Sequence, residues 1–396
     1  MNNTATPIAD IFKAGFAEYE KRFGPLPAEH YKIAHAIMNC RTEELGGHIY
    51  RCSECSHEVT LYNSCRNRHC PTCQAFASAA WVQKRIDELL PAHYFHVVFT
   101  VPHQLNPFFL RNKRHCYPLL FKAVSETLKG LALDPKRIGG MIGCIAILHT
   151  WGQTLEDHYH VHCIVPGGAF DGKNEKWIST KEDFLLPIPV MRKMFRGKFL
   201  HYFFQAVEKG DIGLYGKLHI YQEAGAMKKL RNTLYETNWV VYAKPPFASP
   251  DQVIKYLGNY THRIAITNKR IVKLENGMVT FWYKDYSDHN RQKTMTLDRV
   301  EFIRRFMLHV IPHGFMRIRH YGFLSNRNQN KLLPMIRKLI GGEEDVQPVE
   351  MPDKKHWYEI IEELSGTDPT ICPVCKKGKI RQWKKIEPKR FFPMAA

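Results

Sequence analysis

The sequence predicts an α+β fold built on an antiparallel sheet with flanking helices, and three observations predict it. Strand-like apolar runs occur at 94–101, 142–150, 158–165 and 238–243, with long amphipathic segments at 117–133 and 186–207 set between them. The two kinds of segment follow no regular βαβ repeat, which argues against a doubly wound parallel sheet. Of the 396 residues, 44% are hydrophobic and 12% aromatic, enough to bury a core and to build more than one domain. Composition then divides the chain into a Cys/His-rich stretch over 1–88, a strand-and-helix stretch over 89–297, and a helical, basic C-terminal region over 298–396.

In the first stretch, Cys52-x-x-Cys55 and Cys70-x-x-Cys73 stand fourteen residues apart. A CxxC knuckle presents two thiolates, so the two knuckles together are expected to complete one tetrahedral zinc site. Cys40, His48, Cys65 and His69 are candidates for a second zinc site; the alternative is that the two cysteines are buried thiols and the histidines meet phosphate. Nothing thioredoxin-like surrounds the CxxC pairs. Arg66 and Arg68, with Asn67 between them, flank the knuckle, where donors to a DNA backbone are well placed.

In the second stretch, the strand at 158–165 carries His158, His160 and His162, and a side-chain period of two puts them on one face. Several imidazoles on one strand face are poorly explained by packing, because each needs a hydrogen-bond partner when buried. They point to a metal ion. Gln153, seven residues before His160 and across a turn, is the expected oxygen ligand, with His158 behind the ligands or as an alternative one. Two imidazoles and one oxygen leave coordination positions open, as catalysis requires; Mg²⁺ or Mn²⁺ is expected, although histidines also tolerate zinc.

Further along, Ser249, Pro250 and Gln252 form a helix start. Tyr256 and Tyr260 then become i,i+4 neighbours. Tyr260 lies in the apolar stripe with Val253, Leu257 and Ile264, and Tyr256 at its edge, so core packing is the plain alternative for both. Next, 271–274 and 278–284 flank Glu275-Asn276-Gly277, whose Asn-Gly pair suits a type I′ hairpin turn. The run Gly167 to Lys173 mimics a phosphate-binding loop, but Asn174 replaces the hydroxyl residue that would meet Mg²⁺, and it is read as a loop.

The third stretch offers one apolar helix over 300–310, a basic segment with Arg317, Arg319, His320 and Arg327, an acidic linker over 341–345, and Cys372-Pro373-x-Cys375, which is half of a metal site. Across the whole chain 57 Lys and Arg oppose 38 Asp and Glu, a formal net charge of +19 that suits a polyanionic partner. The first dozen residues lack a basic segment followed by an apolar one, and no apolar run is long enough to span a bilayer. A cytoplasmic, DNA-associated protein without a membrane partner is expected.

These residues carry a resemblance. His160-Val161-His162 resembles the His-hydrophobe-His motif of the HUH nucleases, and Tyr256-x-x-x-Tyr260 their paired tyrosines. Phe99-Thr100-Val101-Pro102 looks like the first strand motif of rolling-circle initiators. The segments 62–71, Trp151-Gly152-Gln153, Tyr260-Thr261-His262-Arg263 and 319–324 resemble, in order, the rolling-circle transposases of the insertion-sequence-91 type. Tyr159 stands where that family commonly has proline, and Asn259 where it commonly has a basic residue. The resemblance implies an HUH nuclease core with an N-terminal zinc-binding domain. It also implies Mg²⁺ or Mn²⁺ at His160, His162 and Gln153, and a 5′-phosphotyrosine link to single-stranded DNA at element ends formed by Tyr256 or Tyr260. Arg263, Arg317 and Arg319 join Arg66 and Arg68 as DNA-contact candidates. No helicase motif accompanies these, so unwinding would fall to a host helicase. The competing readings are a plasmid or phage replication initiator, a non-catalytic zinc-dependent regulator, and a hydrolase that uses water.

Overall fold

The computed structural model describes residues 7–73, 81, 85, 88–244, 265–341 and 368–389. Tyr256, Tyr260 and Arg263, with the helix expected after Ser249, lie outside the described residues. In chain order the helices are α1 (Ile8–Phe23), α2 (Ala28–Met38), α3 (Asn106–Arg111), α4 (Lys113–Leu133), α5 (Ile188–Glu208), α6 (Ala226–Glu236), α7 (Arg299–Leu308) and α8 (Gln329–Gly341). The strands are β1 (Gly47–Cys52), β2 (Glu58–Tyr62), β3 (Tyr94–Thr100), β4 (Met141–Trp151), β5 (Asp157–Pro166), β6 (Gly168–Asp171), β7 (Lys176–Ser179), β8 (Val240–Lys244), β9 (Ile271–Glu275), β10 (Met278–Asp285), β11 (Arg291–Asp298), β12 (Ile318–Gly322) and β13 (Ile380–Ile386). The fold is α+β, and every strand pairing among the described residues is antiparallel.

Contacts group the chain into two compact units that do not follow sequence order. One gathers 1–80, 262–310 and 349–396; the other gathers 81–261 and 311–348. The sequence reading divides the chain into consecutive stretches, whereas strand pairing draws residues from distant segments into one sheet.

The second unit is built on a sheet ordered β7-β6-β4-β5-β3-β8, with β12 paired to β4 as well. The far edge of β4 is shared: β6 takes Met141 and Ile142, and β12 takes Gly143 to Ile147. Here glycine is required. A Cβ on Gly143 would lie 2.4 Å from the Phe323 ring, and Gly322 turns with φ +64 where a Cβ would strike the Ile142 carbonyl. One sheet face presents Phe95, Val97, Phe99, Leu148, Val161 and Val165 to α4 and α5. On α5 the buried Met191, Phe195, Phe199 and Phe203 recur every fourth residue, and Trp239 closes on Phe195 and Phe199. Each such side chain contributes about 1.5–3 kcal/mol by leaving water, so this layer dominates the stability of the unit. The opposite face packs Tyr94, Ile145, Ile147 and Ile164 with Leu333 and Ile336 of α8. Farther along that face the apolar layer gives way to histidines.

The first unit holds two three-stranded sheets, β13-β1-β2 and β11-β10-β9. The expected hairpin is present: Asn276 at φ 50 and Gly277 at φ 76 are both left-handed, as a type I′ turn requires. Asp298 caps α7, accepting from the backbone N–H of Val300 at 2.9 Å and of Glu301 at 3.3 Å. Phe306 on α7 meets Phe12 on α1 edge-to-face at 5.3 Å. The loop expected at Gly167 to Lys173 is largely β6 and its turn into β7, with Asp171 accepting from the Lys173 N–H.

Candidate functional site

The β4–β5 hairpin builds the site. Its register sets His149 opposite His160 and Ile147 opposite His162, so the three histidines share one face. Their ligand nitrogens lie within 4.8 Å of one another. His149 and His160 are buried and His162 half-buried. The ring centroids are 4.3 Å apart for His149 and His162, 5.2 Å for His149 and His160, and 4.8 Å for His160 and His162.

Hydrogen bonds orient the rings. The His160 Nδ1–H donates to the His158 carbonyl at 2.8 Å, which fixes the tautomer and frees Nε2 for a ligand. The His162 Nδ1 lies 2.7 Å from Nε2 of His96, a buried neighbour on β3 whose ring stacks on that of His162. Burial, reinforced by the neighbouring imidazoles, pushes His160 down to about 3 and His162 well below the usual histidine range. Both rings are therefore neutral at pH 7, the state in which an imidazole binds a metal. Three neutral nitrogens in this arrangement fit a divalent ion.

His149 joins His160 and His162 as a third nitrogen close enough to share an ion, while Gln153, the oxygen ligand expected from the sequence, sits in the turn after β4. His158 is not part of the triad: its ring lies beside that of His160 at 4.8 Å, and its carbonyl holds the His160 ring. His96 and His149 went unread. The cue for His149 was its hairpin register with His160; β3 gives no cue for His96 beyond a polar side chain in an apolar strand.

The cysteines group differently from the expectation. Cys70 and Cys73 join Cys40 and Cys65, while Cys52 and Cys55 join Cys372 and Cys375. Sγ atoms lie 3.5 Å apart for Cys40–Cys73 and for Cys65–Cys73. A zinc ion bonded to four thiolates at about 2.3 Å gives edges of about 3.8 Å, so both sets fit zinc. Without a cation the four thiols cannot ionise together. Hydrogen bonds from Cys65 and Cys70 pull Cys40 down to about 7, while neighbouring thiols push Cys65 and Cys70 up. His69 is outside the cluster: Asn67 Oδ1 accepts from its backbone N–H at 2.8 Å and stands 3.2 Å from its Nδ1, which shapes the turn into Cys70. His48, on β1, lies against Tyr50 and is not in either set.

Among the arginines, Arg66 is exposed and Arg68 half-buried beside the first thiol set. Arg317 lends its backbone carbonyl to Leu148, 3.0 Å from the nitrogen. Arg319 stacks on Phe121 and Phe315, on the helix-covered side of the sheet and away from the histidines. No helix among the described residues is long and apolar enough to cross a membrane.

Comparison with known proteins agrees with this geometry. The family described as putative transposase matches residues 143–331, and the transposase zinc-binding domain matches residues 11–101. The chain is 43% identical to the putative transposase y4qJ of Sinorhizobium fredii over 96% of its own length and 95% of the relative's. It is 26% identical to the transposase for insertion sequence element IS801 of Pseudomonas savastanoi pv. phaseolicola, over 94% and 88% respectively. No solved structure matches the chain.

Proposed function

Because the chain belongs to the insertion-sequence-91 type of transposase with an N-terminal zinc-binding domain, we propose that it nicks and rejoins single-stranded DNA at element ends through a 5′-phosphotyrosine. The observation that carries this reading is the triad of His149, His160 and His162 on one sheet face. A divalent ion held there supplies positive charge against the scissile phosphate as negative charge builds on it. Three imidazoles favour Mn²⁺ over the harder Mg²⁺. Gln153, one turn beyond His149, is a candidate for a further oxygen ligand.

The residues divide the work. His96 and the His158 carbonyl hold His162 and His160 in the orientation that presents Nε2. The hydroxyl oxygen of Tyr256 attacks phosphorus; the new O–P bond replaces the P–O3′ bond, and the departing 3′ oxygen takes up a proton. One phosphate ester is exchanged for another, so the reverse step rejoins DNA without ATP. Tyr260 serves the second strand transfer. Arg66 and Arg68 meet phosphates beside the zinc knuckle, with Arg263 and Arg317 as further contacts.

The test is a denaturing gel of labelled single-stranded element ends incubated with protein and Mn²⁺ or Mg²⁺. A metal-dependent covalent band lost in the Tyr256→Phe, Tyr260→Phe double variant supports the reading, and the single variants rank the nucleophiles. Cleavage without a covalent band replaces it with a water-using hydrolase. Binding of a confirmed element end without any cleavage replaces it with a regulator.

A further inference from the structure

We propose that Cys52, Cys55, Cys372 and Cys375 bind a zinc ion of their own, and that this ion fastens the last described strand, β13, onto the N-terminal unit. The ligands come in two pairs from nearly opposite ends of the chain. Sγ of Cys52 lies 3.6 Å from that of Cys375, and Sγ of Cys55 lies 3.7 Å from that of Cys372. All four fall within 4.8 Å of one another. These spacings match the roughly 3.8 Å edge of a zinc tetrathiolate and are far beyond the roughly 2.05 Å of a disulfide.

The two half-sites are built alike. In each, a residue four positions after the first cysteine turns left-handed: Ser56 at φ 58 and Lys376 at φ 55. In each, a backbone N–H approaches a sulfur at 3.4 Å, Glu54 to Cys52 and Gly378 to Cys375. The strands hold the halves in register, since Cys52 pairs with Ile380 where β1 ends and β13 begins. Across the same junction the Ser53 N–H donates to the Lys379 carbonyl at 3.1 Å. Gly378 lets the halves meet, because a Cβ there would lie 2.4 Å from the Cys52 sulfur.

Few buried contacts secure β13: besides its ladder with β1, the Arg51 guanidinium lies 3.3 Å from the centroid of the Trp383 ring, and Lys389 pairs with Glu43 and Glu44 at the surface. β13 is an edge strand, five of its seven residues are exposed, and a bulge interrupts its ladder with β1. Within 368–389 the one buried hydrophobic residue is Cys372 itself. Seven lysines and arginines against one glutamate over 376–389 also repel one another. Exposed hydrogen bonds, ion pairs and ring contacts contribute little net stability, so the bond between the two knuckles is the strongest tie on this segment. Structural zinc sites commonly supply that kind of folding energy to segments without a core.

The experiment compares zinc content and amide exchange in the full chain. Mass spectrometry of the metal should find one zinc equivalent fewer in the Cys372→Ser, Cys375→Ser variant than in the parent. Hydrogen exchange should rise in peptides covering 368–389 and β1, while β4 and β5 stay protected. Cys372→His, which keeps a ligand, should restore both the zinc equivalent and the protection. Chelation of the parent followed by zinc addition should open and reclose the same peptides, which keeps the test valid if the serine variant folds poorly. An unchanged zinc content in the serine variant overturns the site. Loss of one equivalent with unchanged exchange at 368–389 overturns the fastening.

Discussion

The histidine triad and the two thiol sets are both arrangements that could hold a metal ion, yet the chain builds them in opposite ways. The triad draws all three groups from one hairpin, His149 to His162, and stands on a sheet whose other face is sealed by α4 and α5. Its floor is held by the apolar layer beneath it. The thiol sets join segments with little core of their own: Cys40 meets Cys73 across 33 residues, and Cys55 meets Cys372 across 317. An ion on a rigid floor is free to serve chemistry, whereas an ion between loose segments becomes part of the fold. Metal removal should therefore silence one region and unfold the other.

The largest expected effect breaks the thiol side. Zinc binding by small structural sites amounts to roughly 10–16 kcal/mol, comparable to the whole stability of a domain. Cys70→Ser with Cys73→Ser should abolish the thermal transition of the N-terminal unit while the unit containing β4 and β5 still melts cooperatively by calorimetry. Retention of both transitions would contradict the contrast. Next, His160→Ala should lower the rate of strand cleavage about a thousandfold, roughly 4 kcal/mol, with little change in melting temperature. A collapse of the melting temperature would move the triad into the structural class.

His96→Ala sharpens the triad further, since it touches a ligand and not the ion. Partners of this kind change metal affinity by roughly 10–100-fold, which titration calorimetry with Mn²⁺ would measure. A pH series on the metal-free protein has a definite sign. His160 is held at about 3 in the fold, below the unfolded value near 6.5. Above pH 6.5 the two states bind equal protons; below it the unfolded chain takes up a proton that the folded one refuses. Stability should fall by about 1.4 kcal/mol per pH unit between 6.5 and 3 from this residue, or about 2 kcal/mol at pH 5. Urea unfolding of the parent and of His160→Gln at pH 7 and pH 5 would isolate that loss. The smallest effect is a calibration: Asp298→Ala removes the cap of α7 and should cost about 1 kcal/mol in the N-terminal unit alone.

What the sequence revealed follows the same divide. The β5 histidines were readable because period-two alternation survives in a strand whose neighbours differ in polarity. His149 was hidden because β4 is buried on both faces and reads as an unbroken apolar run, so no alternation marks its side. Hairpin register, which a single sequence does not display, is what brings His149 beside the β5 histidines. The thiol pairing was misread for a related reason. Four cysteines in two adjacent knuckles invite the nearest pairing, and nothing local in 372–375 names its partner. That information lies in the ladder between β1 and β13, and β13, with its exposed lysines, lacks the apolar pattern that marks a strand. The Asn276-Gly277 turn was legible because its conformation is set by two residues alone.

The distance between the two halves of the last thiol site has a consequence in time. At roughly 5–20 residues per second, about 15–60 s of synthesis separate the emergence of Cys55 from that of Cys372. Throughout that interval the ribosome-bound chain displays Cys52 and Cys55 with half their partners still untranslated. Cys40, Cys65, Cys70 and Cys73 are already outside and complete. With this pairing, Cys52 and Cys55 must stay reduced and out of the neighbouring set until Cys372 and Cys375 arrive, which makes that whole interval their period of exposure to oxidants and to the wrong metal.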